Sequence, residues 1–99
     1  MHSMLFVVAM PTDKNIGGQA WNNYRGFMNY ITNLIAQFSN VERLGDNVLL
    51  VNARNDLAPL ARLVTSALDA GMPYRLLVFD DEPQWIPATP NAPPTSGHP

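Results

Sequence analysis

Val48-Leu49-Leu50-Val51 is the stretch that decides the fold. Four consecutive apolar residues stand between a turn signal, Gly45-Asp46, and a helix-start signal, Asn55-Asp56. A strand with one wet face alternates apolar and polar residues, so an unbroken run reads as a strand covered on both faces. Two further runs match it: Met4-Leu5-Phe6-Val7-Val8-Ala9-Met10, closed by Pro11, and Leu76-Leu77-Val78-Phe79.

Between the first run and the central one, the apolar positions Trp21, Tyr24, Phe27, Met28, Ile31, Leu34, Ile35 and Phe38 step by three and four. That spacing predicts a helix over 19–38 with one apolar face, and leaves Tyr30 off the stripe. Gly26 inside it costs roughly 1 kcal/mol against alanine. A short polar strand follows at Val41-Glu42-Arg43-Leu44, and Gly45-Asp46 is read as a two-residue hairpin loop with Gly45 at positive φ. A second helix starts near Asn55 or Asp56, either of which suits the cap, with Pro59 tolerated in its first turn. Its expected buried stripe is Leu57, Leu60, Ala61, Val64, Ala67 and Leu68. Gly71 is the expected left-handed terminator, with Pro73 beyond it. The last strand is 74–79.

The order is β-α-β-β-α-β, which predicts an α+β, ferredoxin-like fold: a four-stranded antiparallel sheet with two helices on one face. Residues 4–86 make this single domain. Beyond them the composition changes: six of the last seventeen residues are proline, and 87–99 reads as a disordered Pro-rich tail. Trp85 and Ile86 are the last residues expected to pack.

The composition narrows the function classes. Ninety-nine residues allow one small domain. Charged residues make up 14%, low against a usual ~25%, while 46% are hydrophobic. The net charge is −2 with no basic run, which disfavours phosphate-driven nucleic-acid binding. There is no cysteine, so disulfides and thiolate metal sites are excluded. The first apolar run is too short for a signal peptide or membrane span, so a cytoplasmic protein is expected.

Two helices cover only one sheet face, yet both faces of all three apolar strands are apolar. A bare second face would exceed the patch a monomer tolerates. The expected cover is a second copy, giving a homodimer through the apolar sheet face. The competing cover is the chain's own Trp85, Ile86 and tail.

The candidate chemistry is sparse. Asp13, just past the first strand, is the weak candidate for a catalytic or metal-binding carboxylate; two copies at a dimer axis would share one Mg²⁺. The bland reading is a loop aspartate holding a turn. Thr12, Lys14, Gly17 and Gly18 form a candidate small-molecule or phosphate-binding loop before the first helix, without a Walker or dinucleotide spacing. Asp80-Asp81-Glu82 reads as a solvated charge run. His2 and His98 fall in expected disordered ends, which leaves no histidine for acid–base work. Pro87-Ala88-Thr89-Pro90 and Pro90-Asn91-Ala92-Pro93 have polyproline-ligand spacing, common in any such tail.

Residues 44–79 are similar to the corresponding half of the small CRISPR-adaptation proteins and their ferredoxin-like relatives, which include an RNA-cutting antitoxin. The features that carry this are Leu44-Gly45-Asp46-Asn47-Val48-Leu49-Leu50-Val51 before a helix, the Leu68-Asp69-Ala70-Gly71 helix end and the apolar last strand. The resemblance implies a dimer built on the sheet. It also implies, for nuclease-like members, an aspartate directly after the first strand, usually behind a tyrosine. This chain has Ala9-Met10-Pro11 there, and Asp13 is its nearest acid. The expectation is therefore a small homodimeric interaction or regulatory module without a cofactor. The alternatives are a metal-dependent nuclease at Asp13 and a binder at the 12–18 loop.

Overall fold

A computed structural model describes residues 1–54 and 56–86. Its elements are β1 (Ser3–Val8), α1 (Gln19–Ile35), β2 (Val41–Gly45), β3 (Val48–Asn52), α2 (Ala58–Ala70) and β4 (Tyr74–Phe79). The fold is α+β, with one four-stranded sheet in the order β2-β3-β1-β4 and every neighbouring pair antiparallel. Each helix connection therefore steps over one strand: β1 to β2 passes β3, and β3 to β4 passes β1. Asn55, with its capping role, lies outside the described residues, as do the Pro-rich stretch 87–99, its polyproline spacings and His98.

Alternation along the two central strands sets the core. Met4, Phe6 and Val8 of β1, with Leu49 and Val51 of β3, are buried on the face that carries both helices. Tyr24, Phe27, Met28, Ile31 and Leu34 of α1 meet them, as do Leu63 and Ala67 of α2. Fully buried side chains such as Phe6, Ile31, Leu49 and Leu63 each contribute roughly 1.5–3 kcal/mol. The α1 stripe is the one the three-four spacing predicts, and Tyr30 is exposed.

Several boundaries shift from the expectation. β1 begins at Ser3 and ends at Val8, which leaves Met10 exposed. α1 stops at Ile35, and Gln37 and Phe38 donate N–H bonds of 3.1 and 3.0 Å to the Leu34 and Ile35 carbonyls in a closing turn. α2 begins at Ala58, whose N–H is taken by Asp56 Oδ1 at 2.9 Å. At its other end Gly71 has φ 66°, and the Met72 N–H reaches back to the Ala67 carbonyl at 2.9 Å, as expected of a left-handed terminator.

Gly45 does not take positive φ; Gly71 is the positive-φ glycine among the described residues. The turn falls one residue later, at Asp46-Asn47, and a bulge between Arg43 and Gly45 precedes it. Arg43 then holds that turn, donating from Nη2 to the Asp46 carbonyl (2.9 Å) and from Nη1 to Thr32 Oγ1 on α1 (2.6 Å).

The largest departures concern α2 and β4. The buried stripe of α2 is Pro59, Leu63 and Ala67, with Leu60 and Val64 half-buried, while Leu57, Ala61 and Leu68 are exposed. At about 100° per residue, the helix sits roughly one residue step round from the expected orientation. The reason lies in its neighbours: Leu63 and Ala67 are in the site enclosed by α1 and the central strands. Leu76, Leu77 and Val78 of β4 are exposed rather than covered. Of this strand, Tyr74 reaches the core, its ring stacked 5.4 Å from that of Phe6. Four successive apolar residues thus mark a central strand at β3, buried on the helix side and half-buried on the other, and an exposed edge strand at β4.

Candidate functional site

Three places on the molecule carry functional side chains or unpartnered surface: the loop between β1 and α1, a polar cleft at the start of β1, and the apolar flank formed by α2 and β4.

The 11–18 loop is folded onto the first turns of α1. Asp13 Oδ1 accepts the Asn15 N–H at 2.8 Å, closing a turn two residues on. The Asp13 carbonyl accepts the Trp21 indole N–H at 2.8 Å, and the Ile16 carbonyl accepts Arg25 Nη2 at 2.9 Å. Gly18 caps α1 with extended backbone; a Cβ there would sit 2.9 Å from Asn15 Nδ2, so the glycine permits a close approach. Thr12 lies at the mouth of a largely apolar hollow with Ala9, Met10, Pro11, Tyr24 and Met72. Asp13, Lys14 and Gly17 are exposed. Thr12 and Asp13 are therefore brought to the end of β1 beside α1, and Asp13 holds the turn there. No group of three or more potential metal-ligating side chains comes together among the described residues.

The cleft at the other end of β1 encloses about 310 Å³ and is lined by His2, Ser3, Asn40, Glu42, Asn52 and Trp85, among others. It exists because residues 80–86 turn back across the second sheet face. Pro83, Gln84 and Trp85 also close a hollow over Leu5, Leu50 and Phe79. That face is therefore partly covered by the chain itself, although Trp85 and Ile86 stay largely exposed. His2 is not in a loose end: its N–H donates to the Phe79 carbonyl at 2.8 Å, and its carbonyl accepts the Ala53 N–H at 3.0 Å. Ser3 Oγ and His2 Nδ1 are buried without a hydrogen-bond partner. Neither bonds the other, so they do not form a nucleophile–base pair as they stand. Their unmet polarity suits water or a polar ligand group. Glu42 and Glu82 add negative charge. Sequence reading missed this cleft, because its defining step is the return of the chain after β4.

Tyr24 is buried with its hydroxyl unpartnered. Burial pushes its pKa up, the Asp46 carboxylate adds to that, and the Arg43 guanidinium opposes it. A raised phenol this close to the core is a neutral packing group at ordinary pH.

The apolar flank is the third place. Leu57 and Leu68 of α2 and Leu76, Leu77 and Val78 of β4 are each between 40% and 65% exposed. Searched against protein-family models, curated proteins and solved structures, the chain matches none. No described helix is long and apolar enough to cross a membrane.

Proposed function

We propose that the chain is a ferredoxin-like homodimer that serves as an interaction or regulatory module. The observation that carries this is the aliphatic run Leu76-Leu77-Val78, exposed on an outer strand of a chain with few charges. Isolated exposed leucines need no explanation, but an outer strand that exposes aliphatic side chains on both of its faces marks an edge suited to interaction. The ferredoxin-like assignment rests on the element order, the fully antiparallel sheet and the two strand-skipping helix connections. A second copy seated on the sheet face, as the strand pattern suggests, would have to sit beside the return of 83–85 over Leu5 and Leu50. Along β4 that return meets Phe79 at one end and leaves Leu76, Leu77 and Val78 exposed. The molar mass in solution tests the proposal: a dimer supports it, and a monomer at tens of micromolar rules it out.

A further inference from the structure

The homodimer reading leaves the interface unspecified, and the two sheet edges differ in a way that specifies it. β2, at one edge, presents Glu42 and Arg43 and is broken by a bulge. Charges and bulges are the usual means of keeping an edge from pairing with another chain. β4, at the other edge, runs in unbroken register with β1 from Ser3↔Phe79 to Val8↔Tyr74 and exposes three aliphatic residues. It carries none of the bulges that protect β2. We propose that the outer edge of β4 pairs with β4 of a second copy, joining two four-stranded sheets into one continuous sheet.

The hydrogen-bonding parity of β4 supports a second copy as the occupant. Even-numbered residues of β1 turn their main chain toward β3, as the Val8 N–H does in donating to the Asn47 carbonyl; His2, just before the strand, bonds both neighbours, its carbonyl accepting the Ala53 N–H and its N–H donating to the Phe79 carbonyl. Odd-numbered ones turn toward β4, as the Ala9 N–H does in donating to the Pro73 carbonyl. With this register, Arg75, Leu77 and Phe79 bond inward, while Tyr74, Leu76 and Val78 turn their N–H and C=O groups outward. A two-fold axis normal to the sheet at Leu77 then pairs Leu76 with Val78 of the second copy, twice about the axis. Both members of that pair face outward, so the joint closes about four main-chain hydrogen bonds. Leu76 meets Val78 on the helix side, and Leu77 meets its own symmetry mate on the other. The edge is self-complementary, as an isologous interface requires.

The surface beside the joint adds apolar area. On the helix side, the groove between the helices is lined by Ser66 and Asp69 of α2, with Asn23, Phe27 and Tyr30 of α1. The stripe Leu57, Leu60, Val64 and Leu68 is on the flank of α2 away from that groove, and since α2 crosses from β3 to β4 over β1 this is the flank nearer the joint. The exposed aliphatic side chains supply on the order of 400 Å² per copy, about half of the ~800 Å² per partner in a standard interface. The strand edge, Tyr74 and Arg75 add to that. This geometry puts the two copies of Asp13 at opposite ends of the joined sheet, so it is incompatible with an ion shared between them.

The test rests on the homodimer reading and separates the two. Amide exchange of the full-length chain is followed by NMR across a dilution series, beside its molar mass. Protection of the Leu76 and Val78 amides that falls as the dimer dissociates is expected. Val78→Pro removes an outward N–H, which an edge strand tolerates. It should weaken self-association about tenfold or more while leaving the circular dichroism unchanged. Leu76→Lys with Val78→Lys is the second variant, and it should do the same by charge repulsion. A wild-type dimer whose Leu76 and Val78 amides exchange at the rate of the monomer, or one that survives both variants, overturns the edge pairing and leaves the homodimer. A wild-type monomer overturns both, including when residues 87–99 protect the edge.

Discussion

Replacing Leu63 and Leu68 separately by alanine gives a direct test of how α2 is seated. The apolar spacing of the helix assigns Leu68 to the buried stripe, whereas the structure buries Leu63 (1% exposed) and leaves Leu68 65% exposed. Leu63→Ala removes three buried carbons from a site enclosed by α1 and the central strands, for which a loss of about 3 kcal/mol is expected. For a domain of this size, each kcal/mol lowers Tm by about 4–8 °C, so the drop is on the order of 12–24 °C. Leu68 is only about a third buried, so the cost of Leu68→Ala in the monomer should stay below about 1 kcal/mol. Urea and thermal melts followed by circular dichroism, at a concentration low enough to dissociate dimers, provide the comparison. At higher concentration the Leu68→Ala penalty should grow, since that side chain lies on the flank nearer the proposed joint, while the Leu63→Ala penalty should hold. A Leu68→Ala loss equal to or larger than that of Leu63→Ala in dilute solution would refute the seating of α2 described above.

Three further outcomes are expected. Gly26 is exposed within α1 and an added Cβ meets no atom within 4 Å, so Gly26→Ala should stabilise by about 0.5–1 kcal/mol, read as a higher urea midpoint. Because the Tyr24 pKa is raised in the folded state, the stability linked to it is fully present below the ordinary tyrosine value near 10. It is lost as pH rises from there through the folded value. Tyr24→Phe should remove that alkaline loss from melts taken across the range, and cost little at neutral pH, since the hydroxyl it deletes has no partner. Asp13→Ala forfeits the bond to the Asn15 N–H, a loss of about 0.5–1 kcal/mol at an exposed turn, with the molar mass unchanged. RNA or DNA cleavage that requires Mg²⁺ and disappears in this variant would instead make Asp13 a metal ligand.

The α+β layout was legible because β1, α1 and β3 carry strong and different periodicities. Stepping by three and four along α1 leaves one buried face, which the structure buries, while the unbroken runs of β1 and β3 mark strands without saying which alternate set meets the helices. α2 was harder. Its apolar residues span two adjacent stripes, Pro59-Leu63-Ala67 and Leu57-Leu60-Val64-Leu68, and spacing alone does not say which is enclosed. Its neighbours decide that, and they are distant in sequence. The same holds for β4, whose run resembles that of β3 while its place at the sheet edge leaves it bare. The cleft at Ser3 was invisible for a related reason: two residues at the start of β1 acquire buried, unpartnered atoms once residues 83–85 return over the sheet. The Asp13 loop was legible in its bland form, since a short acid beside Lys14 and Asn15 is a common maker of turns.

The claim that most of this depends on is that the chain pairs with itself along β4. Sedimentation equilibrium from sub-micromolar to hundreds of micromolar, run on the wild type and on the Val78→Pro variant, tests it most directly. The expected result is a wild-type mass rising to about 22 kDa, twice the 11.0 kDa of one chain, and a variant curve displaced to higher concentration. A wild-type mass that stays at 11.0 kDa throughout, or curves for the two proteins that coincide, would contradict it.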